Sequence, residues 1–146
     1  EELSPPCIAI LNADDALLRE KMSCQPPEAD INIFTFGIKE NADFRASSIR
    51  CLGRKTHFLI KNKPIVLNTI SRANVYNALA AYAASRIFSI DAFDIIEKFK
   101  NMKFPKARFE VKNINGINVI DDAYNANPAS FSWALESLKN ISFVDF

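Results

Sequence analysis

Five side chains within one short stretch are of types that do chemistry: Asp121, Asp122, Tyr124, Asn125 and Asn127. Carboxylates accept from hydroxyls or bind cations, and amides both donate and accept. The stretch follows the apolar run Val119-Ile120 and is closed by Pro128. Proline is favoured at a first helical position, because its missing N–H would be unpaired there anyway. Asn127 before it is a preferred N-cap. Phe131, Ala134, Leu135 and Leu138 recur at i, i+3, i+4, i+7 and predict an amphipathic helix with those residues on its apolar face. The whole reads as strand, loop and helix, with carboxylates at the strand's C-terminal end and free N–H groups at the helix start. In α/β sheets that crevice is where ligands bind. The same spacing also suits a strand that simply ends in solvent, and these residues alone leave both readings open.

The run Asp121-Asp122-Ala123-Tyr124-Asn125-Ala126-Asn127-Pro128 closely resembles the motif that begins the C-terminal domain of Mur ligases, the ATP-dependent amide-forming enzymes of peptidoglycan synthesis. Three further stretches agree in order and spacing: Ile10-Leu11-Asn12-Ala13-Asp14-Asp15, Arg72 to Ala81, and Ala107-Arg108-Phe109-Glu110. Within the family, the Tyr-Asn-Ala-Asn form is most similar to members that join D-Ala-D-Ala to UDP-MurNAc-tripeptide.

Composition is compatible with this resemblance. The chain of 146 residues can bury one ordinary core, and it is 49% hydrophobic and 24% charged, the mix of a globular protein. A net charge of +1, without a basic run, gives no sign of nucleic-acid binding. No apolar stretch approaches the roughly 20 residues of a membrane helix, so membrane insertion is not expected. Cys7, Cys24 and Cys51 are odd in number and lack Cys-x-x-Cys spacing, which fits a reduced cytoplasm and no zinc site. His57, the lone histidine, lies in an apolar run and reads as structural.

The resemblance implies an α/β fold cut across two domains. Residues 1–106 would be the C-terminal part of a central ATP-binding domain: a parallel strand, an antiparallel β-ribbon and two helices. Residues 107–146 would be the β-hairpin–helix start of a Rossmann-like C-terminal domain. A phosphate loop ending in Gly-Lys-Ser/Thr is missing from a sequence with three glycines. The chain is therefore expected to be a piece of an enzyme, inactive alone and holding no catalytic residue or metal ligand.

Along the chain, Pro5-Pro6 ends a lead-in, Cys7 to Leu11 is a buried-type strand, and Asp15 caps a short helix. Gln25-Pro26-Pro27 is a loop. Strands are predicted over Ile31–Phe36, Phe44–Cys51, Thr56–Ile60 and Ile65–Ile70, with Asn62-Lys63-Pro64 as the last turn. Ser71 is expected to cap a helix reaching about Phe88, its apolar face Val75, Ala78, Leu79, Tyr82 and Ala83. A second helix begins at Asp91, with Ile90 and Ile95 as a hydrophobic staple. Asn115-Gly116 between Phe109–Ile114 and Ile117–Asp121 signals a type I′ hairpin. Its register opposes Glu110 to Asp121, an unfavourable pair of carboxylates unless the pairing frays or a cation sits between them, from Arg108 or a metal.

By the resemblance, Asn74 would bond the adenine of ATP, while Arg108 and Asp122 would approach its ribose and phosphates. Tyr124, Asn125 and Asn127 would line the same turn, and Asn12 and Asp121 are secondary candidates. ATP and Mg2+ would serve the full-length enzyme, a cytoplasmic monomer that activates a carboxylate as an acyl phosphate and so contributes to cell shape and division. Two departures bear on ATP affinity. The family's Gly-x-His-Asn is here Ser71-Arg72-Ala73-Asn74, and its Gly-Arg is here Ala107-Arg108. A Cβ at Ser71 or Ala107 is awkward wherever the backbone needs positive φ. The alternatives are another Mur or folylpolyglutamate-type ligase, or a degenerate paralogue that binds without catalysing.

Overall fold

The computed structural model describes residues 7–24, 30–125 and 127–139, except the side chain of residue 129. The expected lead-in at Pro5-Pro6 and the loop at Gln25-Pro26-Pro27 lie outside the described residues. The architecture is mixed α/β. A five-stranded sheet runs in the order β1 (Cys7–Asn12), β2 (Ile31–Gly37), β3 (Phe44–Leu52), β4 (Lys55–Ile60) and β5 (Lys63–Leu67). The pairs β1–β2 and β2–β3 are parallel, whereas β3–β4–β5 form an antiparallel ribbon that extends the parallel part.

Local chemistry explains most boundaries. Asp15 caps α1 (Ala16–Ser23), its Oδ1 accepting from the N–H groups of Leu17 and Leu18 at 2.9 and 3.1 Å. The turn between β4 and β5 is Lys61-Asn62, with φ of 46° and 63°, rather than the Asn62-Lys63-Pro64 expected. A two-residue turn with both central residues left-handed matches strand twist, so Lys63 and Pro64 are released into β5. Pro64 is tolerated there because β5 is an edge strand. That strand stops at Leu67, three residues short of the expected end.

Helices α2 (Ala73–Ile87) and α3 (Ala92–Lys100) cover the sheet. The buried residues of α2 are Val75, Ala78, Leu79, Tyr82 and Ala83, the face that 3.6-residue spacing predicts. Ser71 does not cap this helix. Arg72 occupies the cap position in a helical conformation without a side-chain cap bond, and Thr69 Oγ1 instead accepts from the Ser71 N–H at 3.2 Å. Asp91 caps α3 as expected, with Ile95 buried, while Ile90 stays 45% exposed and covers little.

The remaining strands, β6 (Glu110–Ile114) and β7 (Ile117–Asp121), form a separate hairpin, followed by α4 (Pro128–Lys139). Asn115 and Gly116 have φ of 52° and 83°, and the register pairs Ile114 with Ile117, Val111 with Ile120, and Glu110 with Asp121. The apolar interior is in two parts. One cluster joins the sheet to α2 and α3; the other gathers Ile70, Phe109, Val111, Ile120, Ala134 and Leu138. The face of α4 differs from expectation. Ala134 and Leu138 pack inward, but Phe131 and Leu135 are 60% and 46% exposed, and Ser137, next to Leu138, is buried instead. The polar Ser137 is drawn in because its hydroxyl accepts the Arg72 N–H at 3.2 Å.

Ala107 has φ of 55°, so the awkward Cβ anticipated there is real; Ser71 carries no positive φ. The strained residue is held at both ends. Its N–H donates to Glu110 Oε2 at 3.1 Å, and its carbonyl accepts the Tyr124 N–H at 3.1 Å. A left-handed conformation costs an L-residue about 1–2 kcal/mol, whereas glycine's extra chain entropy costs about 0.5–1. Ala107→Gly is therefore expected to stabilise the chain by about 0.5–1 kcal/mol. Urea unfolding checks this, and a lower midpoint would show that the strain is absorbed elsewhere.

Candidate nucleotide site

A cleft of about 540 Å³ opens where the start of α2 meets the segment 105–109, the turn after β7 and the first turns of α4. Asn74 reaches it from α2, Arg108 from the connecting segment, and Asp122, Asn125 and Asn127 from the turn. Five of the six principal candidates thus share one cavity, although residues 74 and 127 are remote in sequence. Tyr124 is 66% exposed and does not line the cleft, but the Arg108 guanidinium lies over its ring at 4.1 Å, so the phenol orients the arginine.

Each lining group also has internal work. The Asn74 amide donates to Thr69 Oγ1 at 3.1 Å and accepts from Asn77 Nδ2 at 3.1 Å. One N–H and one lone pair remain for a ligand. Asp122 Oδ1 accepts the Phe109 N–H at 2.9 Å, tying the turn to a buried residue whose φ is 54°. Through that bond Asp122 also helps hold the fold of the turn. Asn127 caps α4 reciprocally: its Oδ1 accepts the Ser130 N–H at 2.8 Å, and its own N–H donates to Ser130 Oγ at 2.9 Å.

The two secondary candidates lie outside the cleft. Asn12 Oδ1 accepts the Asp14 N–H at 3.0 Å, shaping the turn after β1. Asp121 accepts from Lys112 Nζ at 2.5 Å and from the Ala123 N–H at 3.2 Å. Lys112 also lies 3.4 Å from Glu110 Oε2, so it is the cation between the opposed carboxylates, in place of Arg108 or a metal. The bond to Asp121 raises the Lys112 ammonium above its ordinary pKa, and the bond from Lys112 lowers Asp121. The pair is exposed and acts on register more than on stability. Among the described residues no cluster of three or more acidic, histidine or cysteine side chains is placed to hold a metal ion.

Several contributors escaped the sequence reading. Asn77, Ser130 and Trp133 line the cleft, and Asn77 stands one turn from Asn74, a spacing that does place both on one helix face. Beneath them, Tyr76 meets Trp133 edge to face, with ring centroids 5.5 Å apart, and donates its hydroxyl to Asp14 Oδ2 at 2.7 Å. Asp14 further accepts the N–H groups of Ile38, Lys39 and Glu40. Burial pushes the Asp14 carboxyl up, but the bonds from Glu40, Ile38, Tyr76 and Lys39 outweigh it and hold the group below its ordinary pKa. The Tyr76 phenol is pushed well above its usual range by burial and by the adjacent carboxylate.

With this geometry in view, comparison with known proteins is decisive. A family model described as the Mur ligase middle domain matches residues 1–85. The chain belongs to the Mur ligase family. It is 29% identical over 137 residues to the UDP-N-acetylmuramoyl-tripeptide–D-alanyl-D-alanine ligase of Bacillus subtilis, covering 92% of this chain and 28% of that protein. It is 34% identical over 140 residues to the UDP-N-acetylmuramoyl-L-alanyl-D-glutamate–2,6-diaminopimelate ligase of Listeria innocua, covering 93% and 28%. The crystal structure of MurF from Acinetobacter baumannii superposes with a TM-score of 0.80 at 26% identity, covering 96% of this chain and 31% of that one. MurF from Thermotoga maritima, solved in complex with ADP, gives 0.74 at 24%, covering 92% and 31%, and shares the fold. The chain spans under a third of the length of each of these proteins. No helix among the described residues is long and apolar enough to cross a membrane.

The lowered pKa of Asp14 sets a direction for acid sensitivity. A carboxyl depressed in the folded state stabilises fully above its unfolded pKa, near 3.8, and loses that contribution as pH falls through the folded value. Urea-unfolding free energies measured from pH 7 down to 2.5 are expected to fall steeply below about pH 4. In Asp14→Asn the slope should flatten and stability at pH 7 should drop. An unchanged slope would assign acid sensitivity to other carboxylates.

Proposed function

We propose that this chain supplies the nucleoside side of the ATP site of a Mur-type ligase joining D-Ala-D-Ala to UDP-MurNAc-tripeptide through an acyl phosphate. The cleft shared by Asn74, Arg108, Asp122, Asn125 and Asn127 carries the reading. Its walls come from the start of α2 on one side and from residues 105–109, the turn after β7 and α4 on the other, which we assign to a central domain ending at residue 106 and a C-terminal domain beginning at 107. ADP in the T. maritima relative supports a nucleotide as occupant.

The residues fit a nucleoside better than a triphosphate. In this reading Asn74 turns its spare N–H and lone pair to the adenine edge, and Asn77 fixes which way the amide points. Asp122 keeps Oδ2 for ribose hydroxyls while Oδ1 holds Phe109. Arg108, steadied on Tyr124, meets phosphate oxygens. ATP supplies the phosphoryl group that activates the substrate carboxylate. Neutralising its charge requires Mg2+ and lysines, and no lysine lines this cleft, so no such step is assigned to residues of this chain.

The Listeria relative, at 34% identity, favours a second reading in which the acceptor is another amino acid, since nothing in the cleft reads the amine substrate. Ala73 in place of histidine, and an Asn74 amide half occupied by Thr69 and Asn77, favour weakened ATP binding as in a non-catalytic paralogue.

Asp122→Asn in the full-length protein separates these roles. The amide oxygen can still accept the Phe109 N–H, so the apo melting temperature should stay put, whereas Asp122→Ala should lower it. ATP affinity of Asp122→Asn should weaken by about 1–3 kcal/mol, as for a charge-assisted bond left poorly paired. Calorimetric titration showing unaltered affinity would take Asp122 out of the site. The isolated chain is expected to release no phosphate with ATP, UDP-MurNAc-tripeptide and D-Ala-D-Ala together. Release dependent on all three would contradict its assignment as one part of the site.

A further inference from the structure

A second cavity, of about 530 Å³, backs onto the nucleotide cleft across the segment leading into α2. Ile70 and Arg72 line it, while Ser71, Ala73 and Asn74 line the cleft. Its charge is one-sided. Arg45, Arg50 and Arg72 contribute to the wall, Ser48 and Ser137 add hydroxyls, and no carboxylate lines it. This is concentrated positive charge in a chain whose net charge is only +1.

The arginines are placed by a backbone irregularity. Residues five apart in a regular strand point to opposite faces. The register of β3 shifts between Ser47 and Arg50, and Ser48 takes a φ of 53°. Phe44 and Ala46 are therefore the sheltered residues before the bulge and Ile49 and Cys51 those after it, which leaves Arg45 and Arg50 outward alike. Arg45 is pinned by bonds from Nε to the Ile38 carbonyl at 3.3 Å and from Nη2 to the Lys39 carbonyl at 3.2 Å. Arg72 has a buried Nε without a partner among the described residues. Its Nη1 lies 3.6 Å from Glu136, which does not line the cavity. Arg50 pairs with His57 through the backbone ladder, while its side chain makes no hydrogen bond or ion pair among the described residues and is exposed.

We infer that this cavity binds a dianionic phosphate group, with Arg45 and Arg72 as its fixed walls and Arg50 closing over it. Planar guanidiniums match phosphate oxygens two at a time, and the orphaned Arg72 Nε–H gains an acceptor. The site is distinct from the nucleotide cleft and does not depend on the ligase reading. An anion held there would join the β3 bulge to the start of α2, which is already tied to α4 through Ser137.

Isothermal titration with inorganic phosphate tests this in the whole chain, alongside amide shifts at Ser48 and Ile49. Saturable binding of one phosphate is expected, with Kd raised roughly tenfold or more in Arg50→Ala and melting temperature unchanged. Lys55→Ala, a charge removed from the same ribbon outside the cavity, should bind like wild type. Absence of saturable binding overturns the inference. So does a loss in Lys55→Ala equal to that in Arg50→Ala, or binding that vanishes with Arg108→Ala and survives Arg50→Ala.

Discussion

The carboxylate of Asp14 is the point on which the rest of the structure leans. It stands at the end of β1 and accepts three consecutive backbone N–H groups, of Ile38, Lys39 and Glu40, from the end of β2. Without it the N–H of buried Ile38 would face a cost of about 1–3 kcal/mol if left unpaired, while those of exposed Lys39 and Glu40 would turn to water. The same carboxylate takes the Tyr76 hydroxyl, and Tyr76 carries the contact onward to Trp133 on α4. Gly37 completes the arrangement: a Cβ there would lie 3.0 Å from Asp14 Oδ1. One ionised group thus connects the parallel sheet, the helix behind the cleft and the helix in front of it.

The cleft exists because two apolar clusters meet without merging. The larger fills the space between sheet and helices, with Ile60, Ile65, Leu67, Val75 and Leu79 fully sealed. The smaller borrows Ile70 from the approach to α2 and otherwise belongs to the hairpin and α4. Between them the contacts are polar or edge-on: the Arg72 N–H to Ser137, Arg72 with Glu136, and the two aromatic rings. Such contacts are directional and modest in energy. They set an alignment while leaving room for a ligand between the clusters.

What the sequence disclosed follows the range of the interactions. The buried face of α2, the caps by Asp15 and Asp91, and the turn and register of the hairpin were readable, because helical spacing, capping and a two-residue turn are decided within a few positions; the first hairpin strand begins at Glu110, not at Phe109 as expected. The face of α4 was readable only in part. Apolar spacing chose Phe131, Ala134, Leu135 and Leu138, of which Ala134 and Leu138 pack inward, but Ser137 and Trp133 also turn to partners at the start of α2 some 60 residues earlier. Lys112 was overlooked although it follows Glu110 by two on the same strand face, diagonal to Asp121. Asp14 stood within a recognised motif, yet its partners lie 24 to 62 positions away, and no local pattern announces them. For the site, motif resemblance named residues that the fold does gather at one cleft. It was silent on the amide of Asn77, which governs how Asn74 is presented.

The left-handed residues on either side of Arg108 bear on more than local strain. With Ala107 and Phe109 both at positive φ, and with their N–H groups tied to Glu110 and Asp122, the chain enters and leaves Arg108 along fixed directions. The aim of the guanidinium is then a property of the main chain, steadied but not chosen by the ring of Tyr124. A change in either dihedral would swing the charge through an arc while leaving its rotamer untouched. The three residues that lead from α3 toward the hairpin are thus also the ones that point a charge into the cleft.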